Sequence, residues 1–152
     1  MFRKLALLVL LLALTVILMG AYVRISDAGL GCPDWPGCYG KLIVEPPVLP
    51  EGGADPAFDA GKAWKEMGHR YLAGALGLGV LALLVMAFRE RGNRGRVIRT
   101  ALAVLALLLL QALLGMWAVK FLVMPQVVTA HLLTGFLTLW LLYRLCLAAG
   151  PQ

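Results

Sequence analysis

The sequence predicts an all-α integral membrane protein, an up-down four-helix bundle made of two hairpin repeats. Of its 152 residues, 61% are hydrophobic and only 14% are charged, which is too apolar for a soluble domain of this size. Four apolar stretches approach the roughly 20 residues that a helix needs to cross a bilayer. They are residues 5–23, 69–88, 100–119 and 127–147. We therefore expect residues 1–152 to form a single membrane domain with one long outer loop, 24–65.

The distribution of charge predicts the orientation of this bundle. Arg3 and Lys4 open the chain, and five arginines lie within residues 89–99, whereas seven of the eight acidic residues lie between Asp27 and Glu66. By the positive-inside rule, both termini and the 89–99 loop are cytoplasmic, and loops 24–65 and 120–126 lie outside a prokaryotic plasma membrane. The arginine cluster is interpreted as a topology signal beside anionic lipid, not as a nucleic-acid site.

The first stretch begins like a signal peptide, with basic residues before an apolar run. That run is too long for a signal peptide, and no small-x-small cleavage site precedes the polar segment. We expect residues 1–23 to be retained as the first helix.

Two cysteines lie close together in the outer loop. Cys32 and Cys38 flank Pro33, Pro36 and Gly37, which bend the chain sharply. On the oxidising side of the membrane a disulfide is expected. A structural staple, a redox-active pair that exchanges with a thiol carrier, and two free thiols all remain open. A zinc site is disfavoured because no further Cys or His lies outside. Residues 45–61, rich in Pro, Gly, Ala and acid, are expected to form a flexible surface excursion.

The first and third helices end alike. Residues 18–24 and 113–120 each contain a glycine, an aromatic residue two positions later and a basic residue four or five positions later. Each is followed by a helix with a histidine near its outer end. The chain therefore resembles two copies of a helical hairpin.

His69 and His131 are the only histidines. They lie in the second and fourth helices, which both run inward, so the two rings are at similar depth. In an up-down bundle these helices are diagonal neighbours, roughly 11–14 Å apart, about the span of two imidazoles with an iron between them. An ionisable group inside a membrane helix is costly, so it is a functional-site hypothesis by default. We predict that both ligate a haem iron; the alternative is two histidines that hydrogen-bond at a helix interface.

Three charged residues accompany this histidine pair. Glu66 precedes His69 by one turn and can orient a ligand, move a proton or favour the positive end of the helix dipole. Arg24 and Arg70, with Lys120, lie at the outer boundary, where they can pair with haem propionates. Snorkelling interface anchors would look the same.

Four segments resemble the haem A synthase family: 20–24, the Cys-Pro-Asp-Trp-Pro loop within 29–40, Glu66-Met-Gly-His69-Arg70 and Thr129-Ala-His131. The resemblance implies oxidation of a haem O methyl group to the formyl group of haem A, for terminal oxidases. It also implies that His69 and His131 are axial ligands, Glu66 a required carboxylate, and Cys32 and Cys38 the outer-loop pair. Haem B as cofactor, haem O as substrate, haem O synthase and an electron donor are the implied partners.

The chain corresponds to one four-helix half of an eight-helix family member. With one histidine pair, it is expected to hold one haem. It then either acts as a homo-oligomer, in which one copy holds the substrate haem and another the cofactor haem, or oxidises haem O incompletely. Two other classes stay open. One is a b-type cytochrome-like membrane haem protein for electron transfer. The other is a membrane disulfide-exchange protein that uses Cys32 and Cys38.

Overall fold

Four helices make up the bundle. The computed structural model describes residues 1–47, 55, 58–89 and 94–148, and within these ranges it contains no β-strand. The helices are α1 (Phe2–Ile25), α2 (Ala60–Ala87), α3 (Arg94–Lys120) and α4 (Pro125–Ala148). Each is long and apolar enough to cross a membrane. The predicted all-α four-helix membrane fold is confirmed, whereas the cytoplasmic location of the termini and the single-domain assignment stay predictions.

The helices extend beyond the predicted apolar stretches. α2 begins at Ala60 and not at residue 69, and α3 begins at Arg94 and not at residue 100. Asp59 caps α2 by accepting a hydrogen bond from the Lys62 N–H at 3.0 Å. Hydropathy locates the part of a helix that lies in hydrocarbon, but backbone hydrogen bonding continues into the polar boundary. Residues 60–65 therefore belong to α2. Most of the predicted excursion at 45–61, and residues 90–93 of the arginine-rich loop, lie outside the described residues.

The helices are arranged in a ring that follows their order in the chain. α1 packs against α2 and α4, and α3 packs against the same two helices. Among the described residues, α2 and α4 make no close backbone approach to each other, nor do α1 and α3. α2 and α4, which carry the two histidines, are therefore diagonal neighbours, as predicted.

The apolar core fills the half of the bundle where α1 begins. All four helices contribute buried side chains to it, among them Ala6, Val9, Ala13, Leu76, Val80, Leu83, Val97, Val104, Leu142 and Leu145. A second cluster lies at the other end, around the outer loop: Cys32, Cys38, Val44, Ala63 and Met67. His69 and His131 belong to neither cluster. The histidines thus lie between two well-packed regions.

The described part of the loop between α1 and α2, called the outer loop for its predicted side of the membrane, packs on α2 as a compact cap. Cys32 and Cys38 are joined in a disulfide and are both buried. The Asp34 carboxylate accepts hydrogen bonds from the N–H groups of Tyr39, at 2.6 Å, and Gly40, at 2.7 Å. Gly31 lies directly on the first turn of α2, where an added Cβ would be 2.6 Å from the Lys62 carbonyl carbon. Any side chain at this position would push the loop off the helix.

α1 and α3 end with the same hydrogen-bonding pattern, at a constant offset along the chain. Asp27 and Leu122 hold corresponding left-handed conformations, each with φ 50°. Three N–H to carbonyl hydrogen bonds repeat. They are Ser26 to Tyr22, Asp27 to Arg24 and Ala28 to Val23 after α1, and Phe121 to Trp117, Leu122 to Val119 and Val123 to Ala118 after α3. The structure thus carries the predicted hairpin repeat down to individual backbone hydrogen bonds.

Candidate functional site

Each histidine lies against a glycine of the preceding helix. A Cβ added to Gly20 would lie 3.0 Å from Cε1 of His69, and one added to Gly115 would lie 3.7 Å from Cε1 of His131. Gly20 is five residues before the end of α1, and Gly115 is five residues before the end of α3. The two imidazoles are therefore at matched depth, on diagonal helices, in equivalent positions of the repeat.

Both imidazoles have an unused buried nitrogen. Nδ1 of His69 and Nδ1 of His131 are inaccessible to solvent and make no hydrogen bond of ordinary geometry within the described residues, although the His69 ring lies near the Val16 backbone carbonyl. A buried polar atom without a partner is costly, and such atoms in native structures call for an explanation. A ligand bound at these nitrogens would provide one. Histidine pairs are established axial ligands of haem iron, so the donor set fits a haem.

Two cationic side chains lie about one turn beyond the glycines, toward the end of the bundle that carries the disulfide. Arg24 lies four residues beyond Gly20, and Lys120 five residues beyond Gly115, about 6–8 Å along the helix axis. Both side chains are exposed, and neither forms an ion pair within the described residues. Arg24 thus remains free for the role predicted for it.

Gln111 ties α3 to the turn of α4 that carries His131. Its Nε2 donates to the His131 carbonyl oxygen at 3.0 Å and to Thr134 Oγ1 at 2.8 Å. Thr134 in turn donates to the Ala130 carbonyl at 2.7 Å. A polar side chain in a membrane helix that crosses to a neighbour stabilises that helix pair. Gln111 therefore fixes the position of α4 beside its histidine.

Glu66 and Arg70 form hydrogen bonds with the backbone of the outer loop. Glu66 is 5% exposed, and its carboxylate accepts from the Cys32 N–H at 2.9 Å and from the Arg70 guanidinium. Arg70 also donates to the carbonyl oxygens of Asp34, at 2.8 Å, and of Gly37. The sequence predicts Glu66 as the carboxylate near the haem and Arg70 as a partner of a propionate. In this structure both are hydrogen-bonded to the backbone of the loop.

The loop beside the Glu66–Arg70 pair contains two titratable groups with shifted pKa values. A hydrogen bond from Lys62, at 2.8 Å, lowers the pKa of Asp27. Burial raises the pKa of the Tyr39 phenol. Neither group contacts a histidine, so these shifts concern the loop and not the site between the helices.

The structure brings the predicted residues together in two groups. Glu66, Arg70, Cys32 and Cys38 form one cluster at the outer end of α2, and His69 and His131 lie below it on opposite helices. Sequence reasoning missed the contacts of Gly20 and Gly115 with the histidines. The equal spacing of each glycine from its helix end was the signal that would have found them. It also missed the role of Gln111, which only its isolation in an apolar stretch could have indicated.

Comparison with known proteins finds a matching family and several relatives. Residues 3–152 match the COX15-CtaA family, described as cytochrome oxidase assembly protein. A Shewanella oneidensis protein named Heme A synthase is 43% identical over 152 residues, which is 94% of this chain and 44% of that protein. A Heme A synthase of Lysinibacillus sphaericus is 32% identical, over 67% of this chain and 30% of its own.

A third relative has a different name. A Haloarcula marismortui protein named Protoheme IX farnesyltransferase is 37% identical over 54% of this chain and 14% of its own length. The chain spans less than half the length of each of these three relatives. No solved structure matches the chain significantly.

Proposed function

The chain belongs to the cytochrome oxidase assembly protein family, and on that premise we propose that it binds haem between His69 and His131 and acts in the synthesis of haem A. The observation that carries the proposal is the pair of matched imidazoles, each with a buried Nδ1 that makes no hydrogen bond of ordinary geometry within the described residues. The Heme A synthase names of several relatives support the choice of reaction.

The reaction is the conversion of a methyl group of haem O to a formyl group. In balance, the methyl group and one water become the formyl group, four protons and four electrons, so an electron acceptor is required. A bound haem would supply redox-active iron. The chain's own residues would hold it: His69 and His131 as ligands of the iron, and Arg24 as a cation for a propionate.

Glu66 contributes to this site through the loop. With both carboxylate oxygens engaged, by the Cys32 N–H and by Arg70, it positions the cap over the turn that carries His69. Glu66 and His69 are three residues apart on α2 and so lie on the same face of the helix, where a displaced cap would disturb the histidine turn. Its role as the required carboxylate is part of the proposal.

A second four-helix unit completes the enzyme in this proposal. The 152 residues carry one histidine pair and therefore one haem. A second copy of the chain would supply another haem, so that one unit holds the substrate haem O and the other a haem B cofactor. The outer position of loop 24–65, an oxidant for the methyl group and a haem O synthase that delivers the substrate belong to the same proposal. An electron donor belongs to it where the oxidant is dioxygen, because each hydroxylation then also consumes two electrons and two protons and releases one water.

Haem extraction tests the proposal. The full chain is expressed in a host with ample haem O, and the haem bound to the purified protein is separated by chromatography into haems B, O and A. Hydroxylated or formyl haem in membranes that contain the parent chain, but not the His69→Ala variant, is the expected result. Membranes without either oxidised haem would exclude the synthase function.

Electron transfer by a b-type cytochrome is the second candidate. A haem with two histidine ligands suits electron transfer, and a carboxylate that is bonded to Arg70 and Cys32 is not a free base. This function predicts a reversible redox change of the haem without any chemical change to it. Disulfide exchange is less favoured, because the two cysteines are 0% and 1% exposed and a thiolate must reach a sulfur to react.

A further inference from the structure

A second candidate site lies at the opposite end of the bundle from the histidines. A cavity of about 200 Å³ opens between α3 and α4, where α3 begins and α4 ends. Two arginines from different helices line it, Arg96 and Arg144, together with Thr100, Leu147 and Ala148. None of these residues takes part in the proposed haem site.

The two guanidinium groups are available to an external anion. Within the described residues, neither Arg96 nor Arg144 donates a side-chain hydrogen bond or forms an ion pair. Seven of the eight acidic residues lie between Asp27 and Glu66 in the sequence; Glu51, which is one of them, and the eighth, Glu90, lie outside the described residues. The Thr100 hydroxyl donates to the Arg96 carbonyl at 3.0 Å, so the arginines supply the donors. Planar guanidinium groups match the oxygens of a phosphate.

The Trp140 ring restrains the Arg144 side chain. Its guanidinium carbon lies 5.1 Å from the centroid of the Trp140 ring, a cation–π contact that restricts the side chain. Trp140 lies one turn deeper and also lines an apolar groove of about 430 Å³ between α1 and α4, with Leu10, Leu14 and Phe136. An arginine that lines the charged cavity thus contacts a tryptophan that lines a separate apolar groove, on the α1 side of α4.

We propose that this is a binding site for an anionic phospholipid. Its phosphate lies between Arg96 and Arg144, and an acyl chain runs past Trp140 into the apolar groove. The apolar walls distinguish a lipid from free phosphate, which would gain nothing from Leu147 or Trp140. The arginine-rich end of the chain is then a specific lipid contact in addition to a topology signal.

Native mass spectrometry of the full chain in neutral detergent tests this site. The probes are phosphatidylglycerol, phosphatidylcholine and inorganic phosphate. The parent chain is expected to retain phosphatidylglycerol in preference to phosphatidylcholine. Arg96→Gln with Arg144→Gln weakens phosphatidylglycerol binding about 30-fold, the effect of two basic residues at a membrane surface, and leaves phosphatidylcholine binding unchanged. The matched control Arg94→Gln, at the same helix end but outside the cavity, retains the preference.

Three outcomes would overturn the proposal. Equal retention of the two lipids by the parent chain would mean that the cavity does not recognise an anionic headgroup. An equal loss of phosphatidylglycerol binding in Arg94→Gln and in the double variant would mean that the lipid is attracted only by the overall positive charge of this end of the bundle. Displacement of phosphatidylglycerol by inorganic phosphate identifies a free-anion site. If circular dichroism shows that the double variant is misfolded, the single variants decide, each with an expected loss of about fivefold.

Discussion

At the scale of single residues, the histidine pair depends on two glycines that are not equivalent. Gly20 leaves His69 barely enough space, since a methyl carbon added there would lie 3.0 Å from the ring, whereas one added to Gly115 would lie 3.7 Å from His131. The first distance is tighter than ordinary van der Waals contact and the second is ordinary. The two hairpins thus place their histidines in the same way, but they differ in how well they tolerate a larger side chain at the glycine.

This difference leads to a paired substitution. Gly20→Ala is expected to displace His69 and weaken haem binding by about 1–3 kcal/mol, the usual effect of overpacking. Gly115→Ala is expected to change it little. Titration of the apoprotein with haem, followed by absorbance, measures both. Equal affinities in the two variants would mean that the glycine contacts do not position the ligands.

Glu66 is the other residue whose surroundings decide its effect. Glu66→Gln replaces the charged partner of Arg70 in a pair whose side chains are only 6% and 12% exposed. Loss of one charge-assisted hydrogen bond of this kind costs about 2 kcal/mol. We expect a lower midpoint of thermal unfolding in detergent and faster hydrogen exchange at the Cys32 amide.

Glu45→Gln is the matched control for this prediction. Glu45 pairs with Lys41, and both side chains are more than half exposed. Exposed ion pairs contribute about 0–1 kcal/mol, so this variant should unfold close to the parent. An equal effect of the two substitutions would show that burial of the Glu66–Arg70 pair contributes nothing.

At the scale of elements, the outer loop and α2 behave as one unit. Gly31→Ala would place a methyl group 2.6–2.7 Å from the backbone of residues 62 and 63. The loop must then lift, which exposes the disulfide. Reduction of Cys32–Cys38 by dithiothreitol should become faster, as measured by thiol labelling. Gly74→Ala, with nothing within 4 Å of the added carbon, should leave the rate unchanged; acceleration in both variants would contradict this account.

The α3–α4 pair depends on Gln111. Gln111→Leu removes the hydrogen bonds to His131 and Thr134 and should weaken this pair by about 0.6 kcal/mol, and at most about 1.7. Faster hydrogen exchange in the first turns of α4 is the expected result. The control is Gln126→Leu, at an exposed position of α4. Unchanged exchange in Gln111→Leu would leave that residue without a positioning role.

The sequence predicts some elements better than others, for physical reasons. Apolar length predicts four helices because burial in hydrocarbon sets a minimum span, but it misses the polar first turns of α2 and α3. The Asp59 cap would have revealed the start of α2. The engagement of Glu66 and Arg70 by the loop backbone was out of reach, because it depends on carbonyl positions that only the folded loop defines.

At the scale of the whole molecule, the bundle divides into three layers. One end holds the apolar core and the arginine-lined cavity, the other holds the disulfide-linked cap, and the histidines lie between them. The repeat explains this arrangement, since α1 and α3 end in the same way and each presents a glycine to the histidine of the next helix. The homo-oligomer that would join two such units stays a prediction.

The central claim is that His69 and His131 together hold one haem. Its most direct test is the low-temperature electron paramagnetic resonance spectrum of the oxidised protein, purified without a histidine tag, since the chain has only two histidines. We expect a low-spin signal of a six-coordinate haem in the parent. It should be lost in His69→Gly and in His131→Gly, and restored in each by added imidazole. A low-spin signal that survives either substitution without imidazole would contradict the account.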